Sequence, residues 1–454
     1  MESTVLTTIK QVFLIGIGGI GMSALGRYFY HRGVHVYGYD KTETFLTRQL
    51  ASEGITIFYK DDVKQVAPQF VEDPSNSLVI YTPAVPKDLG LVNFFQDLGY
   101  RLYKRSEILG KISEAHFTIA VAGTHGKTTT SSMIAHILTS SNRPCSAFLG
   151  GIAANYNTNL LLADSDLLVV EADEFDRSFL TLHPNIAIVT ATDADHLDIY
   201  GDANHVLESF HLFVGQVTKD GQRIVKEGLQ LPADIRYGLE KSTGAYATNI
   251  EIKNEAFYFD YKGYKQSILA IKLGIAGKHN IENAVAAITV AKLLNIDDDL
   301  IKSALASFKG VKRRFEYIVN REDVVYVDDY AHHPEELRAC LSAMKELYGK
   351  KEITCIFQPH LFTRTRDFID EFAEVLSLAD VLILMDIYPA REQPIVGVDA
   401  DWLLSKVHLK NKYKLSASEV LTYIDKERPA VLLTVGAGDI DLLVNPIKEV
   451  LNNV

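Results

Sequence analysis

Short apolar runs alternate with amphipathic segments along the whole chain, and this pattern predicts alternating strands and helices. The runs at residues 12–15 and 117–122 are each followed by glycines and then by apolar residues at helical spacing. Further apolar runs at 353–357, 381–385 and 431–435 have the same form in the last third of the chain. The sequence therefore predicts an α/β protein with three consecutive α/β domains, because strands and helices alternate throughout.

We place the domain boundaries near residues 107 and 312. A chain of 454 residues fits three domains of roughly 150 residues each. The segment 310–316, which contains consecutive basic residues after Gly310, is expected to be the hinge into the last domain. The predicted domains are therefore 1–107, 108–312 and 313–454.

The second domain opens with a strand, a glycine loop and a helix, in the order that a phosphate-binding loop needs. Glycines let backbone N–H groups approach phosphate oxygens, and a lysine with a following threonine supplies positive charge and a Mg²⁺ ligand. The general pattern G-x-x-x-x-G-K-[ST] fits only in part, because Val121 stands where its first glycine is expected. We predict that ATP binds at this loop. The candidate residues are Gly123, Thr124, His125, Gly126, Lys127, Thr128 and Thr129.

Acidic residues and a histidine follow two further strands of this domain. Glu171 ends the run 166–171, and Asp193, Asp195 and His196 follow the run 185–190. Because ligands bind at the carboxyl edge of a parallel sheet, oxygen ligands beside a phosphate loop predict a Mg²⁺ site. The alternative is that several of these residues cap helices or turns.

The first glycine motif, G-x-G-x-x-G, follows the apolar run 12–15. Its glycines are Gly16, Gly18 and Gly21, and Asp40 ends the next strand at the position of a ribose-binding acid. Taken alone, the motif favours an NAD(P) oxidoreductase. It equally fits a tight turn against any other diphosphate.

Polar residues in the later part of the chain suggest further contacts to ligands. Asn280 and Asn283 precede an apolar helix, where they would border the nucleotide or cap the helix. Tyr330 and His332 follow another strand, and Arg364 follows the next one. A solvated loop without a role is the alternative for His332, the neighbouring His333 and the arginines such as Arg364.

Charge and cysteine content limit the classes of partner. The formal net charge is −12 with no basic tract, which argues against a nucleic-acid partner. No apolar stretch reaches transmembrane length, so we expect no membrane insertion. The three cysteines, Cys145, Cys340 and Cys355, lack disulfide or metal spacing and favour a reducing, cytoplasmic location.

Several motifs together resemble the bacterial Mur ligases. They are Gly16-Ile-Gly18-Gly19-Ile-Gly21-Met-Ser23, Ala122-Gly-Thr-His-Gly-Lys-Thr-Thr-Thr130, Glu171-Ala-Asp-Glu174, Gly277-Lys-His-Asn280, Asp328-Asp-Tyr-Ala-His-His-Pro334 and Gln358-Pro-His-Leu-Phe-Thr-Arg364-Thr-Arg366. They lie in order across all three predicted domains.

The resemblance implies an ATP-dependent ligase of cell-wall precursor synthesis. It would join L-alanine to the lactyl carboxylate of UDP-N-acetylmuramate through an acyl phosphate, giving the amide, ADP and phosphate. The first domain, Rossmann-like, would bind the UDP-sugar, and the central domain would bind ATP. The last domain, also Rossmann-like, would bind the amino acid. In that family the first glycine motif serves a UDP diphosphate, so the resemblance disfavours the oxidoreductase.

The resemblance also implies roles for individual residues. Those for catalysis are Lys127, Glu171, His196, Arg314, His332 and Arg364. Mg²⁺ would be held by Thr128, Glu171 and His196, and the nucleotide base region by Asn280 and Asn283. The UDP-sugar would contact Gly16, Gly18, Gly19, Gly21, Asp40 and Thr82, and alanine would contact Tyr330, His332 and Arg364.

Two alternatives and one departure stay open at this point. A ligase that attaches a recycled tripeptide to the same sugar nucleotide is the alternative within the family, although the run 193–201 is more similar to the alanine enzymes. A nucleotide-binding switch without catalysis is the alternative outside it. Several relatives have an arginine where this chain has Leu361. We expect a monomer or a weak homodimer.

Overall fold

A computed structural model describes residues 6, 8–86, 88–193, 202–239, 244–263, 266–390 and 392–453. The chain forms three α/β domains, as the alternating pattern predicts. None of the described helices combines the length and the apolar character that a membrane span needs. The three cysteines are buried free thiols.

The first domain contains a five-stranded parallel sheet. Its strands are β1 (Gln11–Ile15), β2 (His35–Tyr39), β3 (Thr56–Phe58), β4 (Ser77–Tyr81) and β5 (Leu102–Lys104). The described helices are α1 (Ile20–His31), α2 (Phe45–Ser52), α3 (Gln69–Glu72), α4 (Gly90–Asp97) and α5 (Arg105–Glu114).

The strand order in this sheet is β3-β2-β1-β4-β5. All five residues of β1 are buried, which is typical of a central parallel strand with both faces covered. Gln11 aligns with His35 on one side and with Ser77 on the other. The carboxyl ends of β1 and β4 therefore meet at one edge of the sheet, where the first glycine motif lies.

The central domain is built on a longer series of strands. They are β6 (Phe117–Ala122), β7 (Ser146–Ala153), β8 (Thr158–Leu161), β9 (Leu167–Glu171), β10 (Ile186–Val189), β11 (Gln222–Lys226), β12 (Ile235–Gly238), β13 (Ala245–Lys253), β14 (Ala256–Lys262) and β15 (Ile268–Leu273). The described helices are α6 (Lys127–Thr139), α7 (Ala203–Gly215), α8 (Lys278–Leu293) and α9 (Asp298–Ser307).

Strands β6, β9 and β10 are neighbours in this domain, and β7 pairs with β9 on its other side. All of these pairs are parallel, whereas β7 and β8 form an antiparallel edge hairpin. The phosphate loop after β6 and the acidic residues after β9 and β10 consequently lie at the same edge of the sheet.

The last domain has a six-stranded sheet. Its strands are β16 (Glu316–Asn320), β17 (Val325–Asp329), β18 (Ile353–Phe357), β19 (Val381–Leu384), β20 (Asn411–Lys414) and β21 (Val431–Val435). Their order in the sheet is β16-β17-β21-β18-β19-β20. Only the β16–β17 pair in it is antiparallel. Its described helices are α10 (Pro334–Tyr348), α11 (Phe362–Asp367), α12 (Ile369–Leu376), α13 (Ala400–Lys406), α14 (Ala417–Glu427) and α15 (Val444–Asn452).

Contacts divide the chain into two compact units. The first unit runs to Ala247 and includes Tyr261–Ile268 and Asn283–Ala304; the second contains Thr248–Asp260, Leu269–Glu282 and the chain from Leu305 onward. Within the first unit, the first and central domains share one apolar core, in which Leu25 and Phe29 of α1 cluster with Phe148 and Leu160. The helix that follows the first glycine motif is therefore packed against the central domain.

Candidate functional site

The phosphate loop depends on two glycines with positive φ. Gly123 has φ +133° and Gly126 has φ +83°, conformations that side chains disfavour. A Cβ atom on Gly123 would overlap Thr190, and one on Gly126 would lie 2.9 Å from Oδ1 of Asn283. Thr190 Oγ1 also donates to the carbonyl of His125. The loop is thus held in a tight curve against neighbouring side chains.

Lys127, the first residue of α6, lies across this loop. Its Nζ donates to the carbonyl of Gly123 at 2.6 Å and to Oε1 of Glu174 at 2.8 Å. Burial lowers the pKa of Lys127, but the negative charges of Glu174 and neighbouring carboxylates outweigh burial, so its pKa is raised. The ammonium group is therefore held charged beside the loop.

Further polar groups line the loop and the start of α6. Thr124 Oγ1 accepts from the backbone N–H of Asp193 at 3.1 Å. His125 Nε2 lies 3.7 Å from Oδ2 of the same aspartate. Thr128 and Thr129 follow Lys127 in the first turn of α6, and Thr128 is buried. The backbone N–H groups of this turn have no acceptor within the helix and are free by geometry to bind an anion.

Glu171 ends β9 at the same edge of the sheet. Its Oε2 accepts from the N–H of Gly150 at 3.0 Å, and a Cβ atom on Gly150 would overlap the carboxylate. Glu171 and the Thr128 hydroxyl supply oxygen donors, the chemistry that suits Mg²⁺. His196, the third expected ligand, lies outside the described residues, as does Asp195. Among the described residues, no three His, Cys, Asp or Glu side chains cluster as a metal site.

Most N–H groups of the first glycine motif already bond to acceptors of the protein. Gly18 donates to Oδ2 of Asp40 at 2.8 Å, and Gly19 donates to the carbonyl of Gly16. Gly16 has φ +87°, and a Cβ atom there would overlap Thr82 at the end of β4. Asp40, the expected ribose ligand, therefore also holds the loop. The donors left to face a diphosphate are the first-turn N–H groups of α1, at residues 20–22.

A cavity of about 260 Å³ lies beside this first turn. Gly19, Gly21 and Thr82 line it from the first domain, and Gly150 and Glu171 line it from the central domain. The cavity therefore lies between the first and central domains, within the first unit.

Arg105, the first residue of α5, also lines this cavity. A Cβ atom on Gly21 would lie 2.7 Å from its Nη1, which places the guanidinium over the first turn of α1. Nη2 donates to Oδ2 of Asp173 at 3.3 Å, a long bond to a carboxylate that is 41% exposed. The cavity therefore combines helix N–H groups with a guanidinium, which is a donor set for a diphosphate.

Asn280 and Asn283 lie in the first turns of α8 and are both buried. Asn280 Nδ2 donates to the carbonyl of Ala276 at 2.5 Å, a local bond that holds the start of the helix. Asn283 lies against the phosphate loop at Gly126. A role of either residue at the nucleotide base stays a prediction.

In the second unit, Tyr330 and His332 lie directly after β17. The Tyr330 ring faces the guanidinium of Arg314, with 5.4 Å between the ring centre and Cζ. His332 Nδ1 lies 2.9 Å from the carbonyl of Tyr330. Since a carbonyl only accepts, Nδ1 carries the proton and Nε2 is left as the acceptor. Burial lowers the pKa of His332, which favours the neutral ring.

Arg364 and His360 extend this cluster of rings and cations. The His332 and His360 rings lie 5.7 Å apart, and His360 stacks on Tyr388 at the same separation. Nη1 of Arg364 and Nδ1 of His360 are buried without a hydrogen-bond partner in the described part of the chain. Unpaired buried polar atoms are costly, and the Arg364 guanidinium is suited to a ligand carboxylate.

His360 gives a testable pH dependence. Burial, followed by electrostatic interactions with His332 and Arg364, lowers the pKa of His360 to about 4. An unfolded histidine titrates near pH 6.5, so its contribution to folding is full above about pH 6.5 and is lost as the pH falls toward 4. We expect the free energy of unfolding to fall more between pH 7 and pH 5 in the wild type than in His360→Asn.

Urea unfolding at the two pH values measures this difference. His408 is an exposed histidine of the same domain, and His408→Asn is the matched control, which we expect to follow the wild type. An equal loss of stability in the wild type and in His360→Asn would contradict the lowered pKa.

Arg105, His360 and Tyr388 are candidate site residues that the sequence analysis did not select. Arg105 follows β5 directly, just as Glu171 ends β9, so the rule that ligands follow parallel strands identifies it too. His360 likewise follows β18, which ends at Phe357. For Tyr388 we find no comparable sequence signal.

Three family descriptions match successive parts of the chain. They are "Mur ligase family, catalytic domain" at residues 11–117, "Mur ligase middle domain" at 121–291 and "Mur ligase, glutamate ligase domain" at 313–443. The boundaries at residues 107 and 312 stay a prediction.

Individual relatives are similar over nearly the full length. A UDP-N-acetylmuramate–L-alanine ligase from Flavobacterium psychrophilum is 47% identical over 447 residues, covering 98% of this chain and 99% of the relative. The enzyme of that name from Parabacteroides distasonis is 46% identical, with 98% of each chain covered. The crystal structure of UDP-N-acetylmuramate-alanine ligase from Thermotoga maritima superposes with a TM-score of 0.82 at 28% identity, covering 97% of this chain and 98% of that one.

Proposed function

The chain belongs to the Mur ligase family, and we propose that it joins L-alanine to the lactyl carboxylate of UDP-N-acetylmuramate with hydrolysis of ATP to ADP and phosphate. The observation that carries this proposal is the similarity to enzymes of that name over 98% of the chain. The phosphate loop at Gly123–Thr128 and the cavity beside α1 support it, because they offer two anion sites in one unit. If the chain were instead an NAD(P) oxidoreductase, the phosphate loop would have no role.

In the first step, a carboxylate oxygen of the sugar acid takes the γ-phosphoryl group, and ADP leaves. Both reactants are anions, so the site must supply positive charge where they meet. Lys127 and the N–H groups of the α6 first turn provide it at the phosphate loop. To reach the β- and γ-phosphates, the ammonium group exchanges the Gly123 carbonyl and Glu174 for phosphate oxygens.

We infer that Mg²⁺ is held by the Thr128 hydroxyl and the Glu171 carboxylate, with His196 as the third ligand that the resemblance implies. The oxygen donors of the first two residues fit this ion. When bound, the metal supplies further charge compensation at the transferred phosphoryl group.

In the second step, the alanine amine attacks the acyl carbon. The C–N bond forms, the C–O bond breaks, and phosphate leaves with the oxygen that came from the carboxylate. The guanidinium of Arg364 offers donors to the alanine carboxylate. The amine must lose a proton, and Nε2 of His332 is an acceptor in a neutral ring.

Arg105→Ala tests the diphosphate part of the cavity. We expect the KM for UDP-N-acetylmuramate to rise about 10- to 100-fold, because a charged hydrogen bond contributes about 1.5–3 kcal/mol. The KM for ATP should change less than about twofold, and the affinity for UDP alone should fall as much as that for the full substrate. Steady-state kinetics and calorimetry measure these values.

Arg101→Ala is the matched control. Arg101 precedes β5, the strand that Arg105 follows, but its side chain is 69% exposed and pairs with Glu107. We expect it to leave both KM values unchanged. If Arg105→Ala weakened the binding of UDP-N-acetylmuramate but not that of UDP, Arg105 would lie at the lactyl end of the substrate. That result would contradict the diphosphate role.

Phosphate release with a panel of amines tests the proposed function. ATP and UDP-N-acetylmuramate are supplied with L-alanine, glycine, L-serine or the tripeptide of cell-wall recycling in turn, and products are identified by mass. We expect the highest kcat/KM with L-alanine. A preference for the tripeptide would identify the chain as the recycling ligase. Nucleotide binding without any amine-dependent turnover would identify it as a non-catalytic switch. A cytoplasmic location and a monomer or weak homodimer stay predictions.

A further inference from the structure

Asn159, in the edge strand β8, makes a fully buried contact with the start of α1. Its Nδ2 donates to the carbonyl of Ile20 at 2.5 Å and to Oγ of Ser23 at 3.0 Å. Its Oδ1 accepts from Nη1 of Arg27. The residue is 0% exposed. All the hydrogen-bonding groups of this side chain are therefore used, and all of them bind one helix of the first domain.

Arg27 extends this contact into a closed network. It is 3% exposed, and its Nε and Nη2 donate to the two carboxylate oxygens of Glu53, each at 2.7 Å. A buried guanidinium needs a partner for its charge, and Glu53 provides it in a bidentate pair. The network thus has two parts: an ion pair that joins α1 to the end of α2, and an amide that joins α1 to β8.

The amide joins the two halves of the proposed site. Ile20 is the first residue of α1, whose first-turn N–H groups face the cavity. In the same hairpin as Asn159, β7 contributes Phe148, Leu149 and Gly150 to the opposite wall. The N–H of Gly150 in turn holds Glu171. The hairpin of β7 and β8 therefore contacts both the first turn of α1, where we propose that the sugar nucleotide binds, and the Glu171 carboxylate beside the phosphate loop.

We propose that Asn159 is a positioning residue for phosphoryl transfer, which sets the position of the α1 first turn relative to Glu171 and the phosphate loop. The inference rests on the proposed function. Reacting atoms must approach to about 3–3.5 Å, and a displacement of 1 Å costs on the order of 10²-fold in rate. Because the sugar nucleotide is anchored on α1 and ATP on α6, the bond between Asn159 and Ile20 limits this displacement.

Two variants separate positioning from stability. Asn159→Asp keeps the acceptor for Arg27 but replaces the two N–H donors with an oxygen that faces the Ile20 carbonyl. Arg27→Gln breaks the ion pair and leaves the Asn159 amide bonds to Ile20 and Ser23. For each variant, the measurements are kcat, the melting temperature, and the Kd values of UDP and of a non-hydrolysable ATP analogue.

We expect Asn159→Asp to lower kcat about 10- to 100-fold, with both Kd values within about threefold of the wild type. We expect Arg27→Gln to lower the melting temperature and to keep kcat within about threefold, measured well below that temperature. A wild-type kcat in Asn159→Asp, or an equal loss of kcat in Arg27→Gln, would overturn the inference. Absence of turnover in the wild type would instead refute the proposed function.

Discussion

Lys127→Met is expected to lower kcat by about 10³-fold or more, because the phosphate loop loses the ammonium group that lies on it. The same change removes the charged partner of Glu174, whose side chain is 3% exposed. Breaking a buried ion pair costs about 3–5 kcal/mol, so the single variant will also be less stable. Loss of activity and loss of folding must therefore be measured separately.

The double variant Lys127→Met, Glu174→Gln separates them. It removes both charges of the pair, so we expect its melting temperature to lie above that of the single variant while its kcat stays low. Lys219→Ala is the control for a lysine of the same domain, since Lys219 is exposed. A folded double variant that releases ADP within about tenfold of the wild-type rate would contradict the role of Lys127.

Glu171→Gln is expected to lower kcat about 10²- to 10³-fold and to raise the Mg²⁺ concentration at half-maximal rate about tenfold. A glutamine offers one neutral oxygen in place of the two oxygens of a charged carboxylate, so it is a weaker metal ligand. Initial rates over a Mg²⁺ titration at saturating substrates measure both values.

Glu208→Gln is the matched control, because Glu208 is an exposed carboxylate of α7 in the same domain. We expect it to follow the wild-type Mg²⁺ curve. An unchanged Mg²⁺ dependence in a folded Glu171→Gln protein would remove Glu171 from the proposed ligands, whatever its effect on rate.

Local sequence pattern predicts the fold and the position of the main loops well. The apolar run 117–122 coincides with β6, and the apolar residues at helical spacing after the glycines lie in α6. Parallel strands bring their carboxyl ends to one edge, so the order of elements suffices to place Glu171 near the phosphate loop.

Contacts between distant residues could not be predicted in this way. Lys127 pairs with Glu174 at a separation of 47 residues, and Arg105 pairs with Asp173 at 68. Asn159 bonds Ile20 across 139 residues. No periodicity links such positions, because the packing of whole domains decides which side chains meet. The sequence left Asn280 open between a contact to the nucleotide and a cap of its helix; its amide makes a local bond to Ala276, and the nucleotide contact stays a prediction.

Transfer of ¹⁸O from the substrate carboxylate tests the central claim, that the chain activates this carboxylate as an acyl phosphate. UDP-N-acetylmuramate is labelled with ¹⁸O in both carboxylate oxygens of its lactyl group and is turned over with ATP and L-alanine. The released phosphate is analysed by mass spectrometry. The account predicts one ¹⁸O atom in each phosphate, since the C–O bond breaks when the amine attacks. Product formation with unlabelled phosphate would contradict it.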